Sequence, residues 1–276
     1  MTSEFTQKDF EQIESRWRLL EQEAAQRCRY PHELEVVRKA YRFAYDAHIN
    51  IRRRSGTPYI IHPIEVARIV ISDIGLGYKS IVTALLHDVL EDTDYTIDDI
   101  REQFGEKIST LVEGMNRIRT MLDMDMKTEH FKKVLISLGD DARVVLIKLA
   151  DRLHNCRTIE LQSEQKRRKI LDETMYIFIP LAHRLGLYSV KSEMENIWLE
   201  YEQREDFESI RKRIESEKDG MEREMDELVY DISAALDEIG IRYSIKRRIK
   251  SPYSIWKKMN VKGVAFEEIF DLCAVR

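Results

Sequence analysis

The sequence predicts a mainly α-helical protein with a short α/β segment at its carboxyl end. Only 10 glycines and 5 prolines occur in 276 residues, which is few for a chain built from many strands and turns. Apolar residues recur at helical spacing along most of the chain, whereas residues 241–247 alternate between apolar and polar in the way that is typical of a strand.

The composition restricts the class of protein. A chain of this length forms one large domain or two smaller ones, and 43% hydrophobic residues are enough to bury a core. The net charge of -5 argues against direct nucleic-acid binding, because nucleic-acid-binding domains are usually basic. No apolar run approaches the roughly 20 residues of a membrane span, and the first residues lack a signal-peptide pattern. The cysteines Cys28, Cys156 and Cys273 are widely spaced, which predicts free thiols and a cytoplasmic protein.

Apolar periodicity and capping residues define the helices in order. Pro31 favours a first helical turn, Thr96 and either Asp140 or Asp141 are N-capping residues, and Gly240 ends the longest helix. Residues 113–129 mix charges with methionines and predict an irregular connector. The predicted helices are 6–28, 31–49, 62–74, 78–90, 97–104, 142–158, 177–187, 190–201 and 207–239.

The stretch Thr83–Asp92 is apolar enough for a buried helix, yet it ends in polar groups. Burying such groups without partners costs several kcal/mol, so a partner is expected. On one continuous helix His87 and Glu91 share a face, and Asp88 and Asp92 share the adjacent face. An imidazole and three carboxylates along one edge would suit a divalent cation.

Two adjacent ligands cannot complete a coordination shell, so distant ligands are needed. His62 follows an arginine-rich turn, and Asp151 follows a strongly apolar run. The alternative for Asp151 is an ion pair with Lys148 or Arg152, but exposed pairs contribute only about 0–1 kcal/mol, so the ligand interpretation is preferred. Nitrogen and oxygen ligands without thiolate fit Mn, Fe or Zn, with Mg possible. The predicted metal ligands are His62, His87, Asp88 and Asp151.

Three sequence motifs carry a resemblance to a known family. They are RRSGTPYIIHP at 53–63, HDVLEDT at 87–93 and KLADRLHN at 148–155. The spaced His, His-Asp and Asp residues resemble the HD phosphohydrolase superfamily, and the three motifs together are similar to the hydrolase domain of RelA/SpoT-type (p)ppGpp enzymes. The resemblance implies an HD-type helical bundle with Mn2+, which hydrolyses the 3′-diphosphate of guanosine tetra- or pentaphosphate in alarmone turnover during the stringent response.

Positions relative to the predicted ligands, together with the resemblance, predict roles for individual residues. Glu91 and Asp92 lie one turn beyond the predicted ligands, where they could orient or deprotonate a water or protonate the leaving oxygen. His154 and the basic run 166–169 are expected to lie outside the site, and Arg54 stands where the family often has Lys. The residues expected to position the nucleotide are Arg53, Arg54, Ser55, Lys148, Asn155 and Thr158.

The carboxyl end resembles the start of a nucleotidyltransferase-like synthetase domain. The expected organisation is a hydrolase domain at 1–195, linking helices at 196–240 and a truncated synthetase segment at 241–276. Because the sequence stops at Arg276 within a predicted strand, we expect no synthetase activity from this chain, while a bifunctional parent that binds the ribosome stays open. Two other functions also stay open: an HD phosphohydrolase that acts on another nucleotide, and a regulatory module without catalysis.

Overall fold

The computed structural model describes residues 4–123 and 141–275, in which the chain forms two compact units, 1–191 and 192–276. The mainly helical fold predicted from the sequence is confirmed. The division into three segments at 195 and 240 stays a prediction. The helices are α1 Gln7–Arg27, α2 Pro31–Ala47, α3 Ile61–Ile69, α4 Tyr78–Leu86, α5 Val89–Asp92, α6 Ile97–Phe104, α7 Glu106–Asp123, α8 Ala142–Arg157, α9 Glu164–Glu173, α10 Ile179–Arg184, α11 Tyr188–Glu202, α12 Arg204–Glu238 and α13 Pro252–Lys262.

Helix α4 lies at the centre of the first unit. It packs against α2, α3, α7 and α8, and every residue from Ser80 to Val89 is buried. A helix that is apolar on all sides can be stable only where other helices surround it. The bundle therefore holds the His87–Asp88 pair deep in the protein, next to the helices that carry the other predicted ligands.

The helix predicted at 78–90 was wrong in one detail, because it is interrupted at His87 and Asp88. Helix α4 ends at Leu86, and α5 begins at Val89. The ring nitrogen Nδ1 of His87 lies 2.8 Å from the carbonyl oxygen of Ala84, and Asp88 has the φ of -100° and ψ of -4° that place it at the start of α5. Adjacent residues of a straight helix point about 100° apart. The break instead allows His87 and Asp88 to face the same point.

The predicted capping residues are confirmed. The Thr96 hydroxyl accepts a hydrogen bond from the backbone N–H of Asp99, and Asp141 accepts one from the N–H of Arg143. Gly75 and Gly240 end helical segments with positive φ. Helical segments with wider, π-type turns occur at Val70–Ile74 and Thr174–Phe178.

The irregular connector predicted for 113–129 was wrong over its first part, because α7 continues to Asp123. Leu111, Met115 and Ile118 are buried at intervals of four and three residues, which is a helical pattern that the mixed charges obscured. The rest of that predicted connector, 124–129, lies outside the described residues.

The second unit packs α12 against α13 around Ile210, Ile255, Phe266 and Ile269. The strand predicted at 241–247 was mostly wrong. Strand β1 covers only Arg247–Ile249, which pairs antiparallel with β2, Cys273–Val275. A strand needs a partner for its backbone groups, and the pairing includes no residue before Arg247. None of the helices in 4–123 and 141–275 combines the length and apolar character that a membrane crossing requires.

Candidate active site

Four side chains from three separate parts of the bundle converge at one point. His62 lies in the first turn of α3, His87 and Asp88 lie at the break after α4, and Asp151 lies in α8. Nε2 of His62 is 3.3 Å from Oδ1 of Asp151 and 3.6 Å from Oδ2 of Asp88. Nε2 of His87 is 3.2 Å from the same Asp88 oxygen and 3.9 Å from Oδ1 of Asp151. We call His62, His87, Asp88 and Asp151 the ligand cluster.

The ligand cluster fits a divalent cation. His62, His87 and Asp151 each offer one ligand atom, and these three atoms lie within 4.8 Å of one another. Nε2 of His87 is buried and makes no well-directed hydrogen bond within the described part of the chain, although Asp88 is close to it. A buried polar atom without a partner costs free energy, and a cation would relieve that cost. Imidazole nitrogen and carboxylate oxygen are also the donors that Mn, Fe and Zn prefer.

Both carboxylate oxygens of Asp151 accept hydrogen bonds from neighbours on the same helix. Lys148 Nζ donates to Oδ2 of Asp151 at 2.7 Å, and Asn155 Nδ2 donates to Oδ1 at 2.7 Å. The ion pair that was considered as an alternative to metal binding is therefore present, yet it leaves Oδ1 facing the histidines. Arg53 extends the chain of contacts, because its guanidinium donates to Oδ1 of Asn155 at 3.0 Å.

Two further histidines and a tyrosine surround the ligand cluster. Nδ1 of His62 lies 2.8 Å from Nδ1 of His154, and the hydroxyl of Tyr59 donates to Oδ2 of Asp88 at 2.7 Å. The ring of His48 stacks on Tyr59 with centroids 4.9 Å apart. Such outer contacts fix the orientation of a ligand, and they commonly determine metal affinity.

The electrostatics of the ligand cluster follow from its burial. Burial lowers the pKa of His62 to about 4, so this imidazole is neutral at pH 7. Burial alone would raise the pKa of Asp88, but His87 and His62 hold it well below its usual range. Burial likewise opposes ionisation of Asp151, whose pKa is held low mainly by Lys148. Both carboxylates are therefore ionised at pH 7.

A cleft of about 240 Å³ opens over the ligand cluster, and we call it the main cleft. Six basic and four acidic side chains line it, an excess of positive charge in a chain whose net charge is -5. A site of that kind favours an anion, because a cleft focuses the potential of its lining charges. The charged residues are Arg53, Arg119, Lys148, Arg152, Lys166 and Lys169, with Asp88, Glu91, Asp151 and Glu173.

A second cleft of about 220 Å³ adjoins the first, and we call it the side cleft. The two clefts share Arg53, Tyr59 and Lys166. Four of the described residues that line the side cleft are basic and none is acidic. Together the clefts form a continuous cationic surface beside the ligand cluster. The side cleft is lined by Arg52, Arg53, Arg54, Ser55, Tyr59, Leu161, Gln162 and Lys166.

The predicted substrate-binding residues are distributed unevenly. Arg53, Lys148 and Asn155 line the main cleft, and Arg54 and Ser55 line the side cleft. Thr158 is different: it follows the last turn of α8, and its hydroxyl donates to the carbonyl oxygen of His154 at 3.0 Å.

The two residues predicted to act on protons also differ in position. Glu91 lines the main cleft and forms an ion pair with Arg119. Asp92 is not among the described residues that line the main cleft, and its Oδ2 lies 3.9 Å from Nε2 of His48. Burial raises the pKa of Asp92 above its ordinary value.

Sequence reasoning missed several residues of the site. His154 was expected to lie outside it, but it contacts His62. Tyr59 could have been found, because it precedes His62 by one turn within the same motif. Lys166 belongs to a basic run that we expected to be solvated, and Arg119 lies in the part of α7 that we expected to be irregular. The sequence gives little indication that Arg119 and Lys166 belong to the site, because only the packing of α7 and α9 brings them to the main cleft.

A buried set of two histidines and two carboxylates within a helical bundle defines a metal-binding domain, and comparison with known proteins identifies its family. The family model described as HD domain matches residues 40–188. The chain belongs to the HD domain family, and about 90% of its length is similar to part of a much longer relative.

Three relatives illustrate this similarity. The guanosine-3′,5′-bis(diphosphate) 3′-pyrophosphohydrolase of Aquifex aeolicus is 40% identical over 90% of this chain and 36% of its own length. The GTP pyrophosphokinase of Myxococcus xanthus is 36% identical over 88% of this chain and 33% of its own. The bifunctional (p)ppGpp synthase/hydrolase SpoT of Escherichia coli is 37% identical over 88% of this chain and 35% of its own. The chain thus spans about a third of the length of these relatives.

Proposed function

We propose that this chain hydrolyses the 3′-diphosphate of guanosine tetra- or pentaphosphate to GDP or GTP and pyrophosphate, in alarmone turnover. The observation that carries the proposal is the ligand cluster at the base of a cleft whose lining is basic although the chain is acidic. The names of the Aquifex aeolicus and Escherichia coli relatives support this substrate over other nucleotides.

We propose Mn2+ as the resident cation, with Mg2+, Fe2+ or Zn2+ as alternatives, held by His62, His87, Asp88 and Asp151. Such a cation supplies a Lewis acid that polarises a phosphoryl oxygen and lowers the pKa of a water. The chain's own contribution is to keep the four donors together: Lys148 and Asn155 hold Asp151, and Tyr59 holds Asp88.

The basic side chains position the nucleotide in this proposal. Arg53 lies where the two clefts meet, and a guanidinium can both bind phosphate through two parallel hydrogen bonds and stack on a base. Arg54 and Ser55 would contact the nucleoside part in the side cleft. Lys148 and Asn155 would contact the nucleotide from the main cleft, while Thr158 would act by supporting the end of α8.

Proton transfer is assigned to the acidic pair that follows the ligand cluster. Glu91 is the nearer candidate to orient the attacking water, because its carboxylate lines the main cleft. Asp92, whose pKa is raised by burial, would hold a proton more readily than an ordinary aspartate from its position next to His48. It would assist Glu91 in delivering a proton to the leaving oxygen.

The proposal also covers the cellular location of the protein and the activity of a longer parent. We propose a cytoplasmic location, which three free cysteines support. A parent that also synthesises the alarmone is supported by the name of the Myxococcus xanthus relative, and ribosome binding by such a parent stays a prediction.

The test is release of pyrophosphate from ppGpp by the full chain with Mn2+, with and without a chelator. We expect release with Mn2+ and loss of it with chelator. In Asp88→Ala both Mn2+ binding and hydrolysis should be lost, whereas Asp98→Ala, which removes an exposed carboxylate of α6, should behave like the parent. Turnover of dGTP or another nucleotide in preference to ppGpp would support the alternative HD phosphohydrolase. Absence of bound metal and of any turnover would support the regulatory module.

A further inference from the structure

The arginine turn, residues 52–57, is a tight backbone loop that precedes the predicted ligand His62. The N–H of Tyr59 donates to the carbonyl oxygen of Ile51 at 2.9 Å, and the N–H of Arg53 donates to that of Thr57 at 2.9 Å. At the start of the turn Arg52 pairs with Pro58 as in an antiparallel sheet, and in such extended backbone successive side chains point to opposite sides. Arg53 therefore reaches Asn155 in the main cleft, and Arg52 reaches away from it.

Arg52 connects the turn to the start of α1. Its two terminal nitrogens bind the two carboxylate oxygens of Asp9, Nη1 to Oδ1 at 3.1 Å and Nη2 to Oδ2 at 2.7 Å. Nη1 also donates to the carbonyl oxygen of Gly56 at 2.8 Å, at the far side of the same turn. A planar guanidinium that makes parallel bonds of this kind fixes both distance and orientation, which a single charged atom cannot do.

Asp9 is itself rigidly held. It is the third residue of α1 and completes a capping box, in which its Oδ2 accepts hydrogen bonds from the N–H and the hydroxyl of Thr6, both at 2.7 Å. The hydrogen bond from Arg52 is the largest cause that keeps the pKa of Asp9 well below its usual range, so the carboxylate is charged at all ordinary pH values. A side chain fixed on the first turn of a helix is a firmer support than one on a loop.

A second contact strengthens this connection. The N–H of Phe5 donates to Oδ1 of Asn50 at 3.2 Å, and the Arg52 guanidinium lies 5.3 Å from the centre of the Phe5 ring. Asn50 has a positive φ of 59°, a conformation that favours asparagine over most side chains and that begins the loop. The residues just before α1 therefore contact the base of the arginine turn, at Asn50 and Arg52.

We propose that Asp9 is a positioning residue for the nucleotide: through Arg52 it holds the arginine turn so that Arg53, Arg54 and Ser55 face the clefts. Three consecutive arginines repel one another, and without this anchor the turn would be free to swing toward solvent. Asp9 is not among the described residues that line either cleft, so its effect reaches the nucleotide only through the turn. This inference rests on the proposed function of the site.

The experiment compares Asp9→Asn with the parent and with Glu11→Gln, all as full-length chains. The amide introduced by Asp9→Asn retains an oxygen for Thr6 but lacks the second charged oxygen that Arg52 requires. Glu11 lies on the same helix and pairs only with Gln7 among the contacts described for it. We expect KM for ppGpp to rise about tenfold in Asp9→Asn with kcat and Mn2+ affinity unchanged, because a displaced turn weakens nucleotide binding without touching the ligand cluster.

Arg52→Lys gives the second arm of the test, since lysine cannot form the two parallel bonds and should raise KM in the same way. A merely structural role for Asp9 would lower the melting temperature and leave KM at the parental value, and that result would overturn the inference. If the parent hydrolyses ppGpp while Asp9→Asn leaves KM unchanged, this inference alone fails. If the parent neither binds nor hydrolyses ppGpp, the proposed function fails and this inference fails with it.

Discussion

Nδ1 of His62 and Nδ1 of His154 lie 2.8 Å apart, so the two buried rings share one hydrogen bond. Only one of the two nitrogens can carry the proton between them. When His62 donates, its Nε2 has a free electron pair, and that atom is the one that faces Asp151 and Asp88. His62 can therefore bind a cation through Nε2 in the form in which it donates this hydrogen bond to His154.

This relationship predicts the effect of removing His154. In His154→Ala we expect Mn2+ affinity to fall about 10- to 100-fold, the usual consequence of removing the partner that orients a metal-binding histidine. His154→Asn places an amide oxygen near the position of Nδ1 and should restore most of the affinity. Titration calorimetry with Mn2+ measures both.

His183→Ala is the matched control, because that exposed ring contacts Tyr188 and lies on α10, outside the described lining of both clefts. Its Mn2+ affinity should equal that of the parent. Parental affinity in His154→Ala would show that His154 does not orient His62.

A second prediction concerns Asn155, which lies between Arg53 and the ligand cluster. Its amide nitrogen donates to Asp151 and its amide oxygen accepts from Arg53. Asn155→Ala should therefore weaken both Mn2+ binding and ppGpp binding, whereas Arg53→Ala should raise KM and leave Mn2+ affinity unchanged. The measurements are KM at saturating Mn2+ and Mn2+ affinity without nucleotide.

The double variant of Arg53 and Asn155 tests whether the two residues act together. If the two residues contact the nucleotide as one unit, the fold increase in KM of the double variant should be smaller than the product of the two single fold increases. Asn116→Ala, an exposed asparagine of α7, is the control and should change neither quantity. A fold increase equal to that product would mean that the hydrogen bond between Arg53 and Asn155 has no functional role.

Much of the fold was predictable because helices are encoded locally. Caps such as Thr96 and Asp141 and terminators such as Gly240 lie within a few residues of the helix ends that they determine. The break at His87 was not predictable, since it depends on a ring nitrogen that bonds the carbonyl oxygen of Ala84. The prediction of a strand at 241–247 was mostly wrong because strand formation depends on a partner that is distant in the sequence.

The same distinction applies to the site. His62, His87 and Asp151 were predictable, because polar groups within apolar runs require a partner wherever the chain goes. Residues such as Arg119 and Lys166 carry no such signal, since a charged side chain on an amphipathic helix usually faces solvent. Their proximity to the ligand cluster is a consequence of how α7 and α9 pack, which no local pattern records.

A third prediction concerns the pH dependence of stability at the start of α8. Hydrogen bonds from Arg143, assisted by Lys107, keep the pKa of Asp141 below its ordinary value. A lowered folded-state pKa stabilises the fold above the unfolded pKa of about 3.9, and this contribution is lost as the pH falls through the folded-state pKa. The free energy of unfolding lost in Asp141→Asn should thus be largest at pH 7 and should begin to shrink below about pH 4.

Asn is as good an N-capping residue as Asp, so this substitution isolates the charge. Asp141→Ala should cost about 1 kcal/mol more than Asp141→Asn through loss of the cap, and that additional cost should not vary with pH. Urea unfolding at a series of pH values measures both the contribution of the charge and that of the N-cap. A difference between Asp141→Asn and the parent that stays constant down to pH 3 would exclude the ionic contribution of Asp141.

The last prediction tests the close approach of α7 and α8, which brings Arg119 and Asp151 to the same cleft. A Cβ added at Gly114 would lie 2.9 Å from Cγ2 and 3.2 Å from Cγ1 of Val144. Overpacking of this kind costs roughly 1–3 kcal/mol, which outweighs the ~1 kcal/mol that alanine gains over glycine within a helix. Gly114→Ala should therefore lower the free energy of unfolding in urea.

Gly220 provides the matched control, because it also lies within a helix but a Cβ there would meet nothing within 4 Å. Gly220→Ala should stabilise the protein by about 0.5–1 kcal/mol. Adding Val144→Ala to Gly114→Ala removes the methyl groups that the new Cβ would strike, so the double variant should be more stable than the sum of the two single effects predicts. If Gly114→Ala is as stabilising as Gly220→Ala, the two helices do not approach as closely as the structure has them, and Gly114 is not what allows α7 to reach the site.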